Sequence, residues 1–469
     1  MRWFFFTFAA CLLICVMRNA VAVTAPLLVW DDVLIFNDFF AGRGSLFHIY
    51  PDNISLAPNI IFLVSFAFFS LPLLPAGLQT MAVVFYAAMT AVPSLPAFAA
   101  VIPDPRKRVL LAVWIAAMPL SDLSLILSPD YQNWSSMIPV FLFTGLLAAA
   151  AAAAERPRVS PLWSALLVPC ALANPLSVAT APFNAVAAAV SWRRGMAATA
   201  VNAALLAAAG LAAALLAAVT APQMGGGSGI GAPQVLDAAW RAGLFLLDRG
   251  FLEALLGSPA RQAVLDALPA AGAGLAPTTL YAAAAAAAAL VIGLAAGNRQ
   301  RPVVAFAATL VGAAFVYSFV VLVTLGPMRG LAASDTGILT TFGRYWFVQK
   351  VAVLTAVGAL LLEASPLSPR LSPYAAALAL GAFLIAYAAD ADTGSRYGLS
   401  GKADPRRADR ERRSATQRAF LEAVQAAQRR HAAGCLLEPG DSAAPLLRLT
   451  LPEGIRPPAD AAETACSVP

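Results

Sequence analysis

Long apolar blocks alternate along the chain with short polar or basic turns, and most blocks run about 17–25 residues, the length a helix needs to cross a hydrocarbon core. The blocks fall at about 3–23, 57–75, 79–102, 109–127, 136–154, 196–219, 277–296, 302–325, 346–363 and 374–389. Segment 160–191 is different: Pro169, Asn174, Pro175 and Pro182 interrupt it too often for one straight helix, so it predicts two short or re-entrant helices meeting near mid-membrane. The pattern as a whole predicts an all-α, polytopic transmembrane helix bundle over 1–390, followed by a polar tail, 391–469. Within that tail the Arg/Glu-rich stretch 405–430 has helical potential.

The turns set the expected orientation. Basic residues cluster at Arg106–Arg108, Glu155–Arg158, Arg193–Arg194 and Asn298–Arg301, where the positive-inside rule places cytoplasmic turns. The expected outer loops are then 24–55, 128–135, 220–276 and 326–345, with the polar tail as a small extracytoplasmic appendage. One parity conflict arises. Two spans between the Asp31/Asp32 loop and Arg106 put that loop inside, whereas an inside N-terminus and the loop's acidic composition put it outside. The outside placement is expected here, with an extra short crossing or re-entrant element hidden in 57–103 at the Pro93/Pro96 break. The apolar run from Met1 to about Ala22 is read as an uncleaved first span, because several other spans follow it.

Composition agrees with a membrane solvent. Of the 469 residues, 60% are hydrophobic and 12% charged, against roughly 45–50% apolar and about 25% charged in soluble domains. A soluble enzyme and a nucleic-acid module are excluded, and the net charge of +6 reports topology, not a nucleic-acid partner. Cys11, Cys15 and Cys170 lie in apolar runs, and Cys435 and Cys466 lie in the tail, where one disulfide can form if the compartment is oxidising. The Ala tracts 148–154 and 282–289 read as helix filler. There is no Walker A sequence, and the Gly225–Gly231 run lacks a following Lys-Ser/Thr, so it reads as a flexible loop.

Candidate chemistry sits in the loops. Trp30-Asp31-Asp32 follows the first span directly, and carboxylates held at a membrane surface beside apolar walls suit general-base work or cation coordination. The alternative is a solvated acidic loop that helps set orientation. His48 and Tyr50, ahead of Asp52 and Asn53, lie in the same loop, and with His431 the only other histidine no His-based metal site is built. Asp130-Tyr131-Gln132-Asn133-Trp134 is either a polar binding turn or an interfacial turn with an aromatic-belt Trp. Arg344, before Tyr345 and Trp346, is either a phosphate grip or a snorkelling anchor. Arg329 and Lys350 rank below it as phosphate candidates.

An acid pair after span one, many spans, a broken-helix region, a late Arg-Tyr and a polar tail together make the chain resemble the GT-C superfamily of integral-membrane glycosyltransferases. The resemblance rests on Trp30–Pro58, Asp130–Trp134, Ala171–Pro182 and Gly343–Phe347. It implies a GT-C-like bundle in a bacterial inner membrane, with an active site on the extracytoplasmic face. Sugar would pass from a polyprenyl-phosphate donor to a glycan, lipid or protein acceptor of the cell envelope. Under that resemblance Asp32, or Asp31, is the catalytic base. Asp130, Gln132, Asn133, Trp134, His48 and Tyr50 shape the substrate pocket, and Arg344 with Tyr345, backed by Arg329 and Lys350, holds the donor phosphate. The residues specify no cofactor, and the carboxylates leave room for a divalent cation. Membrane lipids are the remaining partners. Two other readings stand beside it: a transporter or flippase for a lipid-linked substrate, suggested by the broken helices, and a non-catalytic envelope-assembly subunit.

Overall fold

The structure is a computed structural model that describes residues 2–18, 23–28, 31–40, 44–47, 49–50, 53–54, 56–118, 129, 132–153, 159–160, 162–220, 232–254, 301–328, 343–363 and 405–429. Proline and short polar caps set several helix starts. Asp104 accepts the backbone N–H of Arg106 at 2.8 Å, with Pro105 opening helix Pro105–Ala117; a cap acceptor and a residue with no N–H to lose are what the first turn needs. Asn174 does the same for the 3₁₀ turns Pro175–Thr180, accepting from Leu176 N–H at 3.0 Å. At the far side of that segment Gly195, with φ 72°, closes helix Ala181–Arg193 in the left-handed conformation that glycine tolerates.

In chain order the helices are α1 (Arg2–Arg18), α2 (Asp31–Phe40), α3 (Leu56–Phe68), α4 (Leu74–Ala91), α5 (Pro105–Ala117), α6 (Gln132–Ala152), α7 (Leu162–Leu172), α8 (Ala181–Arg193), α9 (Ala197–Thr220), α10 (Ala232–Phe245), α11 (Arg301–Met328), α12 (Gly343–Glu363) and α13 (Pro405–Arg429). One antiparallel hairpin, β1 (Ile49–Tyr50) with β2 (Asn53–Ile54), pairs Ile49 with Ile54. Among the described residues four stretches are long and apolar enough to cross a membrane: Leu71–Ala100, Gln132–Ala152, Ala197–Val219 and Pro302–Val323. Their surfaces fit that solvent. On α9 the exposed residues Val201, Leu205, Leu211, Leu215 and Val219 form an apolar stripe, which water would not tolerate at this size and lipid does.

α6 is the hub. Of its most apolar window 89% is buried, against 39% for α9, and its Ala149 and Ala150 are fully buried. The first Ala tract is therefore an interface, where small side chains let neighbouring helices approach, and not filler.

Pairwise contacts fix helix directions. Lys107 Nζ donates to Leu362 O at 2.6 Å and to Glu363 Oε1 at 3.1 Å, while Gly358 lies against Leu111 and Trp114, so α5 and α12 run antiparallel. Cys11 meets Ala112, and Arg18 meets Ala116 and Met118, so α1 runs parallel to α5. Phe143 and Gly145 of α6 pack on Phe306 of α11 together with Phe98, and Phe141 packs on Tyr317; α6 and α11 are thus antiparallel, with Phe306 near the Phe98 end. α6 and α12 both begin at the end of the bundle opposite the Lys107–Glu363 contact.

Three expectations change. First, 57–75 is not a span: α3 has 13 residues, about 20 Å at 1.5 Å per residue, short of a hydrocarbon core of about 30 Å. Between the acidic segment and Arg106, Leu71–Ala100 is the one stretch among the described residues long and apolar enough to cross, with the Pro93 and Pro96 turns lying inside it. One candidate crossing there, in place of two, removes the parity conflict without an extra element, and Leu28, Ile35 and Phe36 lie at the end opposite the basic turn 104–108. Second, the expected loops carry helix. Asp31–Phe40 is α2, Gln132 opens α6, Gly343 opens α12, and 220–276 contains α10 running into π-helical turns over Leu246–Glu253. Third, α6 begins four residues earlier than the hydropathy block, because Gln132 and Asn133 are buried by neighbouring helices although they are polar. The broken segment 160–191 does fold as two short helices, α7 and α8, around the Asn174 cap. The expected spans 277–296 and 374–389 lie outside the described residues.

Two apolar clusters divide the bundle. The larger joins α1, α5, α6, α11 and α12 with the second half of α4. The smaller joins Leu28, Ile35 and Phe36 to Ile61 and Phe62 of α3, Leu74, Leu78 and Ala82 of α4, and Leu421 of α13. α4 passes from one to the other between Ala82 and Val83.

Candidate functional site at one end of the bundle

The smaller cluster takes in the helix that the acid pair opens. Asp31 and Asp32 open α2, where negative charge complements the helix dipole, and Ile35 and Phe36, one turn on, tie the helix into the cluster. Phe36 packs on Phe66 at 5.6 Å and Phe39 on Phe62 at 5.7 Å between ring centroids. Asp32 is fully buried, so the solvated-loop alternative does not describe it.

At the same end are the first turns of α6 and α12. Gln132 N–H bonds Pro129 O at 3.1 Å and Ser136 Oγ donates to Asn133 O at 2.6 Å. Gln132 and Asn133 are buried, and Trp134 is half-buried against the larger cluster. Arg344 and Tyr345 occupy the first turn of α12. Three residues further, Phe347 is buried and meets Tyr86 of α4 at 6.0 Å. Helix N-termini carry about half a positive charge each. Two of them at the end of the bundle that also holds a buried carboxylate on α2 and begins α12 with Gly343 and Arg344 are a combination suited to an anionic headgroup and a proton acceptor.

Lys350 takes a role the sequence did not indicate. Its Nζ donates to Glu253 Oε1 at 2.6 Å, and the two side chains are 2% and 1% exposed. Glu253 ends the π-helical turns, whose widened ring shifts the residues that follow relative to an α-helix. Gly250 allows the close approach, since a Cβ there would meet Val353 of α12 at 3.2 Å. Lys350 is thus committed to a carboxylate instead of standing free for phosphate. Beside it, Gln349 is fully buried with neither amide atom hydrogen-bonded among the described residues.

Arg18 was not singled out either. It donates to Ala116 O at 3.0 Å and Met118 O at 2.9 Å, closing the C-terminal turn of α5 at the same end of the bundle.

Tyr50 is placed in β1. Asp130, His48, Arg329, Cys435 and Cys466 lie outside the described residues. Among the described residues no group of three or more His, Cys, Asp or Glu is arranged to hold a metal ion. No family model matches the chain, and comparison with curated proteins and with solved structures finds no match.

Proposed function

We propose that the chain is a membrane glycosyltransferase of GT-C type, moving a sugar from a polyprenyl-phosphate donor to a cell-envelope acceptor on the extracytoplasmic face of a bacterial inner membrane. The observation that carries this reading is the buried Asp32 at the end of the bundle where α12 begins with Arg344 and Tyr345. Asp32, with Asp31 beside it, takes the proton of the acceptor hydroxyl as the sugar leaves its lipid phosphate. Arg344 and the N-terminal turn of α12 hold that phosphate, since a guanidinium keeps its charge and binds two oxygens at once. Asn133 and Gln132 line the approach, and Asp130, His48, Tyr50, Tyr345 and Arg329 complete the assignment of donor and acceptor contacts. A sugar phosphate is already activated, so no nucleotide is needed.

The test is transfer from a synthetic polyprenyl-phosphate sugar into a membrane acceptor fraction. Asp32→Asn and Arg344→Ala each abolish transfer while expression and membrane insertion persist. Retained transfer in both variants sinks the reading.

One observation favours a second reading, a transporter or flippase: the Glu253–Lys350 pair is buried between apolar helices, and intramembrane charges commonly mark substrate pathways. Proteoliposomes that move a lipid-linked substrate without forming a covalent product select it.

A further inference from the structure

We infer that α13 is a strap that fixes the Asp31–Asp32 turn, with Gln417 as its positioning residue; the catalytic part of this inference rests on the glycosyltransferase reading, and the structural part does not.

The tail helix meets the segment between α1 and α2 along one face. Gln417 Oε1 accepts the backbone N–H of Leu28 at 3.0 Å, and its Nε2 donates to Leu28 O at 3.4 Å. A single amide side chain thus satisfies both backbone groups of one buried residue, as a neighbouring strand would. Ser414 Oγ donates to Pro26 O at 2.6 Å and Arg410 Nε to Ala25 O at 3.1 Å. Leu421, fully buried, enters the smaller cluster beside Ile35 and Phe36. Arg410, Ser414, Gln417 and Leu421 recur at the spacing of one helix face, while Arg412, Arg413, Arg418 and Glu422 are exposed.

Asp32 is therefore bracketed by contacts from α13. Leu28, held by Gln417, lies three residues before Asp31, and Ile35 and Phe36, in the cluster that Leu421 completes, lie three and four residues after Asp32. Asp31 and Asp32 open α2 between these two anchors, and holding both restricts how α2 can shift. Segment 25–28 forms no strand or long helix of its own, so its carbonyls and the Leu28 N–H depend on these side chains, and buried backbone groups are costly to leave unpaired. The strap lies 389 residues from Leu28 in sequence, and none of its four contacting residues belongs to a span.

The experiment uses the full chain in detergent or nanodiscs. The variants are Gln417→Met, of similar length with no hydrogen-bonding amide, Gln417→Glu, which keeps the acceptor, and Arg418→Ala on the exposed face. Hydrogen–deuterium exchange is read over 23–40, with Gln132–Ala152 as internal reference. Gln417→Met is expected to raise exchange over 23–40 about tenfold or more while the reference stays constant. Gln417→Glu lies between wild type and Gln417→Met, and Arg418→Ala matches wild type. In transfer assays kcat falls about tenfold in Gln417→Met with the donor KM unchanged, and partial activity returns in Gln417→Glu. Unchanged exchange over 23–40 in Gln417→Met overturns the strap, as does a rise shared equally by the reference helix. A localised rise in a chain whose wild type shows no transfer overturns the glycosyltransferase reading alone. A localised rise with kcat and KM both at wild-type values overturns the positioning role of Gln417.

Discussion

Removing one partner of the Glu253–Lys350 pair is predicted to damage the fold far more than removing both. At 2.6 Å the Coulomb attraction is about 6 kcal/mol for an effective dielectric constant of about 20. Burying the two ions, each almost wholly shielded, costs several kcal/mol per ion. The two contributions nearly cancel, so the intact pair adds little net stability. Lys350→Met leaves the Glu253 carboxylate buried without its ammonium, and the expected loss is about 3–5 kcal/mol. Glu253→Gln strands the ammonium and costs a similar amount. The double variant Glu253→Leu/Lys350→Met replaces both charges with apolar groups of comparable size between α12 and the π-helical turns, and is expected within about 1 kcal/mol of wild type or above it. The assay is the temperature at which half of the detergent-solubilised protein is lost from the monodisperse gel-filtration peak. The predicted order places both single variants well below wild type and the double variant. A double variant that loses as much as the two single variants added together refutes the reasoning, because the charges then act independently and not as one buried unit.

Gly358→Val forces a side chain where even a Cβ lies 2.7 Å from Leu111 Cδ1 and 3.3 Å from Trp114; it lowers stability by about 1–3 kcal/mol, read as an earlier thermal loss of the same gel-filtration peak. Arg18→Gln removes the charged donor from Ala116 O and Met118 O and costs about 1.5–3 kcal/mol. Arg18→Lys restores part of that loss, and full stability in Arg18→Gln contradicts the capping role.

The fold was legible where apolar periodicity and length agree. The helices α6, α9 and α11 and the broken segment around Asn174 could be read from hydropathy and proline alone. α3 could not, because a run rich in Phe and Leu looks the same whether it crosses lipid or packs beneath a tail helix. Its 13-residue helix is ended by the Ser70–Pro72 turn, and one face of it, with Ile61 and Phe62, enters the second cluster with α2 and α13 while Ile60, Leu63 and Phe68 stay exposed. α10 and its π-helical turns were hidden by the glycine run before them, which lowers the helical signal of the whole region. The Ala tract of α6 was misread because propensity measures how willingly a helix forms, whereas its packing position is set by neighbours distant in sequence.

The basic residues show why the site was only half legible. The positive-inside rule treats each lysine and arginine as a loop charge seeking one side of the membrane. Several here are instead helix terminators. Lys107 binds the last carbonyls of α12, and Arg108 binds Ile102 O and Pro103 O. Arg194 holds Ala151 O and Ala153 O at the end of α6, and Arg18 holds the end of α5. Lys107, Arg194 and Arg18 each place a cation on the negative end of a helix dipole, where it satisfies carbonyls with no partner in their own helix, while the acceptors of Arg108 lie in the turn ahead of α5. Two of these C-termini, of α6 and α12, gather cations at one end of the bundle. The opposite end is left with the N-termini of α6 and α12, which favour anions. A sequence shows the cations but not which helix carbonyls they bind. Once the caps are assigned, the end where α6 and α12 begin is the one that still presents first-turn N–H groups, and the backbone of Arg344 in the first turn of α12 and the buried Asp32 of α2 lie at that same end.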